Sequence, residues 1–160
     1  MDNEAGTAVR SPLARQFRVG WKPRVAEEFA ATFPLLPHEQ EVLRGLVSSR
    51  RLAISGGPAL VLLTDRRLCI LVHYALRFDR GIECGRGSVL GIESTRVLRA
   101  FAFFRLRYRT GSGFQSFDFG RVTAVSPAVA AIGWEVMAPE DLIAQLRSTW
   151  CQDAPGVNSA

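Results

Sequence analysis

Two apolar runs, residues 59–64 and 67–74, are separated only by Asp65 and Arg66. Short runs rich in Leu, Val and Ile around a polar pair predict two antiparallel strands joined by a tight turn. The register follows. With Asp65 and Arg66 at the tip, Leu63 faces Leu68 and Val61 faces Ile70. A second pair, 103–109 and 114–119, flanks Thr110-Gly111-Ser112-Gly113 and predicts another hairpin. A symmetric turn there pairs Leu106 with Phe117 and Phe104 with Phe119 on one face, and sets Arg105 opposite Asp118 on the other. Further strands are predicted over 42–54, ended by the breaker Gly56-Gly57-Pro58, and over 82–84 and 88–93, where Gly81, Gly85, Gly87 and Gly91 mark bends.

The two ends of the chain carry helical signals. After Pro23, the residues Val25, Phe29 and Phe33 recur four apart with Glu27 and Glu28 in the first turn, before Pro34 and Pro37 stop the helix. Ser126-Pro127 predicts a helix over 128–137. A second begins at Pro139, with Leu142, Ile143, Leu146 and Trp150 as its apolar stripe and Arg147 in its last turn. Over 13–22 the spacing fits a strand (Phe17, Val19, Trp21) and a helix (Leu13, Phe17, Trp21) equally well. Residues 1–12 and 152–160 are polar, aperiodic tails.

With 160 residues, 48% hydrophobic and 22% charged, the chain has what one globular domain with its own core requires. Cys69, Cys84 and Cys151 are odd in number and widely spaced, which predicts reduced thiols in a cytoplasmic setting. Cys69 lies within an apolar run, as a buried structural thiol does. No secretory h-region follows Asp2, Glu4 and Arg10, and the apolar stretches are too short to span a bilayer. The net charge of +5 is uneven: residues 38–125 hold fourteen arginines against seven carboxylates.

Catalysis finds no support. His38 and His73 are the two histidines, there is no G-x-S-x-G elbow, and no carboxylates are spaced as an acid/base couple. The triplets at 85–87 and 111–113 lack the third glycine and the strand-to-helix setting of a nucleotide site, so they read as turn glycines. No metal or cofactor is expected. A pI near 9.8 raises nucleic-acid binding, but no RNP, helix-turn-helix or zinc pattern accompanies it.

The stretch 36–43, LPHEQEVL, resembles the opening of GRAM and bacterial PH-like domains, in which an acidic residue precedes a hydrophobic first strand. The stretch 59–71, ALVLLTDRRLCIL, resembles their most recognisable piece, a strand ending in Leu-Thr-Asp/Asn-x-Arg-Leu, here residues 63–68. The resemblance implies a mainly β (α+β) fold: a PH-like open barrel of six or seven antiparallel strands plugged by a C-terminal amphipathic helix. It divides the chain into an N-terminal tail and short helical extension (1–35), the domain (36–151) and a disordered tail (152–160). It also implies binding to lipid headgroups or proteins, without catalytic residues. The basic lysine-containing pattern of phosphoinositide-binding relatives is absent; Arg50 and Arg51 stand there, before Ser55-Gly56-Gly57-Pro58. At the hairpin tip, Thr64 and Asp65 organise the turn, which gives Arg66 and Arg67 a structural role.

Two surfaces stand out. Arg105, Arg107 and Arg109 alternate with Phe104, Leu106 and Tyr108 and so share one sheet face, with Arg96 and Arg99 just before them. That face is either an ordinary solvated strand, partly neutralised by Asp118, or a docking surface for an anionic membrane or acidic partner. Three or four such charges supply about 3 to 4 kcal/mol, a millimolar-scale affinity. Membrane attachment therefore needs a second term, from Phe17 and Trp21 or from several copies acting together. The second surface is the 59–74 hairpin, apolar on both faces. Its outer face requires cover from residues 13–33, from the extra helix or from another subunit. The expected function is a non-enzymatic interaction module that scaffolds or recruits, through protein contacts ahead of anionic-lipid contacts. A membrane-targeting module is the alternative, and the expected location is the cytoplasm, with the inner membrane face as the peripheral site.

Overall fold

Strands β2 (Ile54–Thr64) and β3 (Arg67–His73) pair antiparallel with Leu63 opposite Leu68 and Val61 opposite Ile70, the predicted register. The computed structural model describes residues 25–51, 54–73, 79–97, 101–125 and 127–150. Around the hairpin runs a seven-stranded antiparallel sheet, order β4-β3-β2-β1-β7-β6-β5. Its other strands are β1 (Glu41–Arg51), β4 (Asp79–Gly85), β5 (Val89–Val97), β6 (Phe101–Thr110) and β7 (Gly113–Gly120). Among the described residues the helices are α1 (Val25–Thr32), α2 (Pro127–Ala130) and α3 (Pro139–Trp150), with a short 3-10 helix at Arg86–Ser88. The architecture is the mainly β open barrel with a C-terminal helix that the resemblance implied.

Curling of the sheet gives it an inner and an outer face. Inside, Val61, Leu63, Leu68 and Ile70 join Leu106, Phe117 and Phe119, and α3 closes the core with Leu142, Ile143, Leu146 and Trp150. Trp150 donates its indole N–H to the Thr64 carbonyl at 3.2 Å, so the helix end is tied to the end of β2. Outside, Leu60, Leu62, Cys69 and Leu71 form a separate cluster with Val25, Phe29 and Phe33 of α1 and its C-terminal end, and with Val129. The outer apolar face is thus covered in cis by residues 25–33; residues 13–24 lie outside the described residues, as do the tails.

The barrel seam is short. β1 and β7 meet only at Ser48–Gly120 and Ser49–Phe119. Beyond that the edge of β1 is taken up by residues 135–137: Leu46 donates to the Glu135 carbonyl at 2.8 Å and Met137 to the Leu46 carbonyl at 2.9 Å. Gly45 makes this approach possible, since a Cβ there would lie 2.8 Å from the Met137 Cβ.

Two expectations are corrected. The Gly56-Gly57-Pro58 segment lies within β2: Gly57, at φ 111°, pairs with Ser49, and the register shift between Ser49 and Arg50 absorbs the extra residue as a bulge. β3 joins β2 only from Ala59 onward, so Pro58 meets no β3 partner for its missing N–H. The helix expected over 128–137 is the four-residue α2; Gly133, at φ 75°, breaks the run and 135–137 extends along β1. Arg67 has a structural role of a specific kind: its side chain is buried and pairs with Glu39 of the segment before β1 and with Glu83 of β4.

Candidate functional site

The arginine face expected from alternation exists, but carboxylates neutralise most of it. Arg105 grips Asp118 through two parallel bonds, each 2.8 Å, the fork-to-carboxylate geometry that guanidinium favours. That hydrogen-bonded carboxylate raises the Arg105 pKa, so its charge is permanent and locally cancelled. Arg107 reaches Glu93 of β5 at 3.1 Å. The neutralisation expected from Asp118 is therefore joined by a second, from Glu93. Arg109 lies 5.9 Å from the centre of the Phe114 ring, and no carboxylate partner accompanies it among the described residues. Arg96 lies on β5 opposite Ala102, away from the Glu93–Arg105 pair. Arg99, Phe17 and Trp21 lie outside the described residues.

A second surface emerges beside α1, where sequence reasoning located cover and missed a cleft. Ala26, Phe29, Ala30 and Phe33 form one wall of a groove of about 430 Å³, with Leu62 and Trp134 opposite. Phe29 meets Phe33 at 5.1 Å and Trp134 edge-on at 5.0 Å, so the floor is aromatic. Arg44 stacks 5.2 Å above Trp134 and is held there by Glu41. Leu35, 50% exposed, also lines the groove, and its chain neighbour Leu36 is 46% exposed. Proline-bounded Leu35-Leu36 was visible in the sequence, but Trp134 comes from a segment expected to be helical.

Among the described residues no group of three or more His, Cys, Asp or Glu is placed to hold a metal. Cys69 and Cys84 are free, buried in different clusters, and desolvation pushes both thiols up to about 12, which leaves them protonated and inert. No described helix is long and apolar enough to cross a membrane.

With this geometry in hand the chain can be compared with known proteins. No protein-family model matches it, and no curated protein sequence does. Solved structures do match. The hSac2 domain from the human phosphoinositide phosphatase Sac2 superposes with a TM-score of 0.52 at 12% identity, over 78% of this chain and 77% of that one. The C-terminal domain of an unknown protein from Leishmania infantum superposes with a TM-score of 0.51, also at 12% identity, over 80% of this chain and 99% of that one. The likeness is one of fold. It supports the open barrel with its closing helix, and at this identity carries no residue roles across.

Proposed function

We propose that this chain is a non-enzymatic, PH/GRAM-like interaction module that scaffolds through protein contacts, and that the groove beside α1 is the contact surface. The observation that carries the reading is an aromatic-floored groove opening beside two exposed leucines. Isolated exposed apolar residues are ordinary, whereas a contiguous apolar cleft marks an interaction site.

The occupant that fits is a second copy of the chain. A two-fold interface uses one patch twice, so the patch must carry both halves of every contact. This one does: Leu35 is large and half exposed, Ala26 and Ala30 are small, and Arg44 and Glu27 line the same groove with opposite charge. Two buried free thiols suit the reducing cytoplasm. The test is a heterologous cross-link: an Ala30→Cys chain mixed with a Leu35→Cys chain, both in a Cys151→Ser background, under mild oxidation. A disulfide-linked dimer that needs both variants supports the reading. Failure of the mixture to cross-link beyond either variant alone contradicts it.

A further inference from the structure

We propose that the Glu39–Arg67 pair is the latch that sets the Leu35 wall of the groove beside α1, so that Arg67, itself buried, is a positioning residue for self-association. This rests on the groove being the contact surface, and it concerns what holds that surface in shape.

The groove has walls of two kinds. Ala26, Phe29 and Ala30 stand on helix α1, and Arg44 and Leu62 stand on strands β1 and β2, so backbone ladders hold them in place. Pro34 and Leu35 line the groove from a segment that is neither helix nor strand. Side chains must supply what a ladder would. The Pro34 carbonyl accepts from the Arg67 guanidinium, and the Leu36 amide donates to the Glu39 carboxylate at 2.8 Å. These groups belong to the two peptide units on either side of the Leu35 Cα. Each unit is rigid and planar, so holding both sets the two backbone dihedrals of Leu35 and the direction of its Cα–Cβ bond.

The two grips form one unit. Arg67 gives its Nε to one Glu39 oxygen at 2.8 Å and its Nη2 to the other at 3.0 Å, and the same Nη2 serves Pro34. Both side chains are shielded, Arg67 at 9% exposure and Glu39 at 0%, so water does not compete for these bonds. A turn closed by the Glu39 amide on the Leu36 carbonyl at 3.1 Å, with His38 at φ 64°, brings the carboxylate back to the Leu36 amide. Thr64 donates to Glu39 at 2.7 Å and Arg67 meets Glu83 of β4 at 3.3 Å, which ties the unit to the hairpin whose Leu62 lines the opposite wall. A wall fixed before association loses less freedom when a second copy arrives, so the latch raises affinity without a new contact. Lysine cannot replace the fork: a single ammonium keeps the charge but cannot span both Glu39 oxygens and the Pro34 carbonyl in one plane.

Arg67→Lys therefore separates the latch from the charge. Light scattering of the full chain over a range of concentrations should give Arg67→Lys a dimer dissociation constant about tenfold above the parent's. Leu146→Ala, in the inner core away from the groove, should keep the parent's constant even though it lowers the unfolding midpoint, so lost stability alone does not open the dimer. If Leu35→Asp/Leu36→Asp dissociates while Arg67→Lys associates as tightly as the parent, the groove stands and the latch is overturned. Equal weakening in Leu146→Ala and Arg67→Lys also overturns the latch, and a parent that is monomeric at every concentration overturns both.

Discussion

Glu39 and Arg67 form a buried ion pair across 28 residues of sequence: the Arg67 Nε lies 2.8 Å from one carboxylate oxygen, and its Nη2 lies 3.0 Å from the other. The surrounding polar groups are satisfied as well. Thr64 donates to Glu39 at 2.7 Å, the Leu36 amide donates to the second carboxylate oxygen at 2.8 Å, and Arg67 also donates to the Pro34 carbonyl. The pair thus staples the segment after α1 to the central hairpin. Arg67→Met strands the Glu39 carboxylate in the interior and should cost about 3 to 5 kcal/mol in denaturant unfolding, whereas Glu39→Gln leaves Arg67 its second ion pair, with the half-exposed Glu83 at 3.3 Å, and should cost less.

The same pair makes stability depend on pH. The Arg67 guanidinium beside it and the donated hydrogen bonds hold the Glu39 carboxyl at about 2, below its ordinary 4.5. A carboxyl lowered in the folded state contributes stability that is fully present above the unfolded value and is lost as pH falls toward the folded one. The parent should therefore lose stability between about pH 4.5 and 2. In Glu39→Gln that contribution should be missing; an identical acid slope in the variant would show that Glu39 is not its source.

The seam between β1 and residues 135–137 makes Gly45→Ala a sharp probe. The new methyl would meet the Met137 Cβ at 2.8 Å, too close for either chain to keep its place. Overpacking of this kind costs about 1 to 3 kcal/mol, to be read as a lowered thermal midpoint. A variant as stable as the parent would mean that residues 135–137 do not lie on β1.

Helix α3 closes the inner core through Leu142, Ile143 and Leu146, which are almost wholly buried. Truncating Leu146 to Ala should cost about 2 to 5 kcal/mol, and an effect below 1 kcal/mol would detach the helix from the barrel.

What the sequence made legible is local. The 59–74 hairpin, the 103–119 hairpin with Arg105 opposite Asp118, and α3 all follow from period and turn chemistry within twenty residues. The misreadings required distant partners. Gly57 looked like a terminator because its bulge is defined by Ser49, on another strand. The structural role of Arg67 was legible from the hairpin motif, but its partner Glu39, in a loop before β1, was not. The pairing of Arg107 with Glu93 depends on how β5 aligns with β6, and a bulge at Leu90 sets that alignment. The groove depends on Trp134, which reaches Phe29 only because Gly133 ends the expected helix.

The central claim is that the groove beside α1 joins two copies of this chain. Its most direct test is the light-scattering mass of the parent and of a Leu35→Asp/Leu36→Asp variant over a range of concentrations. The account predicts a parent mass near twice 17.6 kDa and a folded variant at 17.6 kDa. A parent that stays at 17.6 kDa at every concentration, or a double variant that remains dimeric, would contradict it.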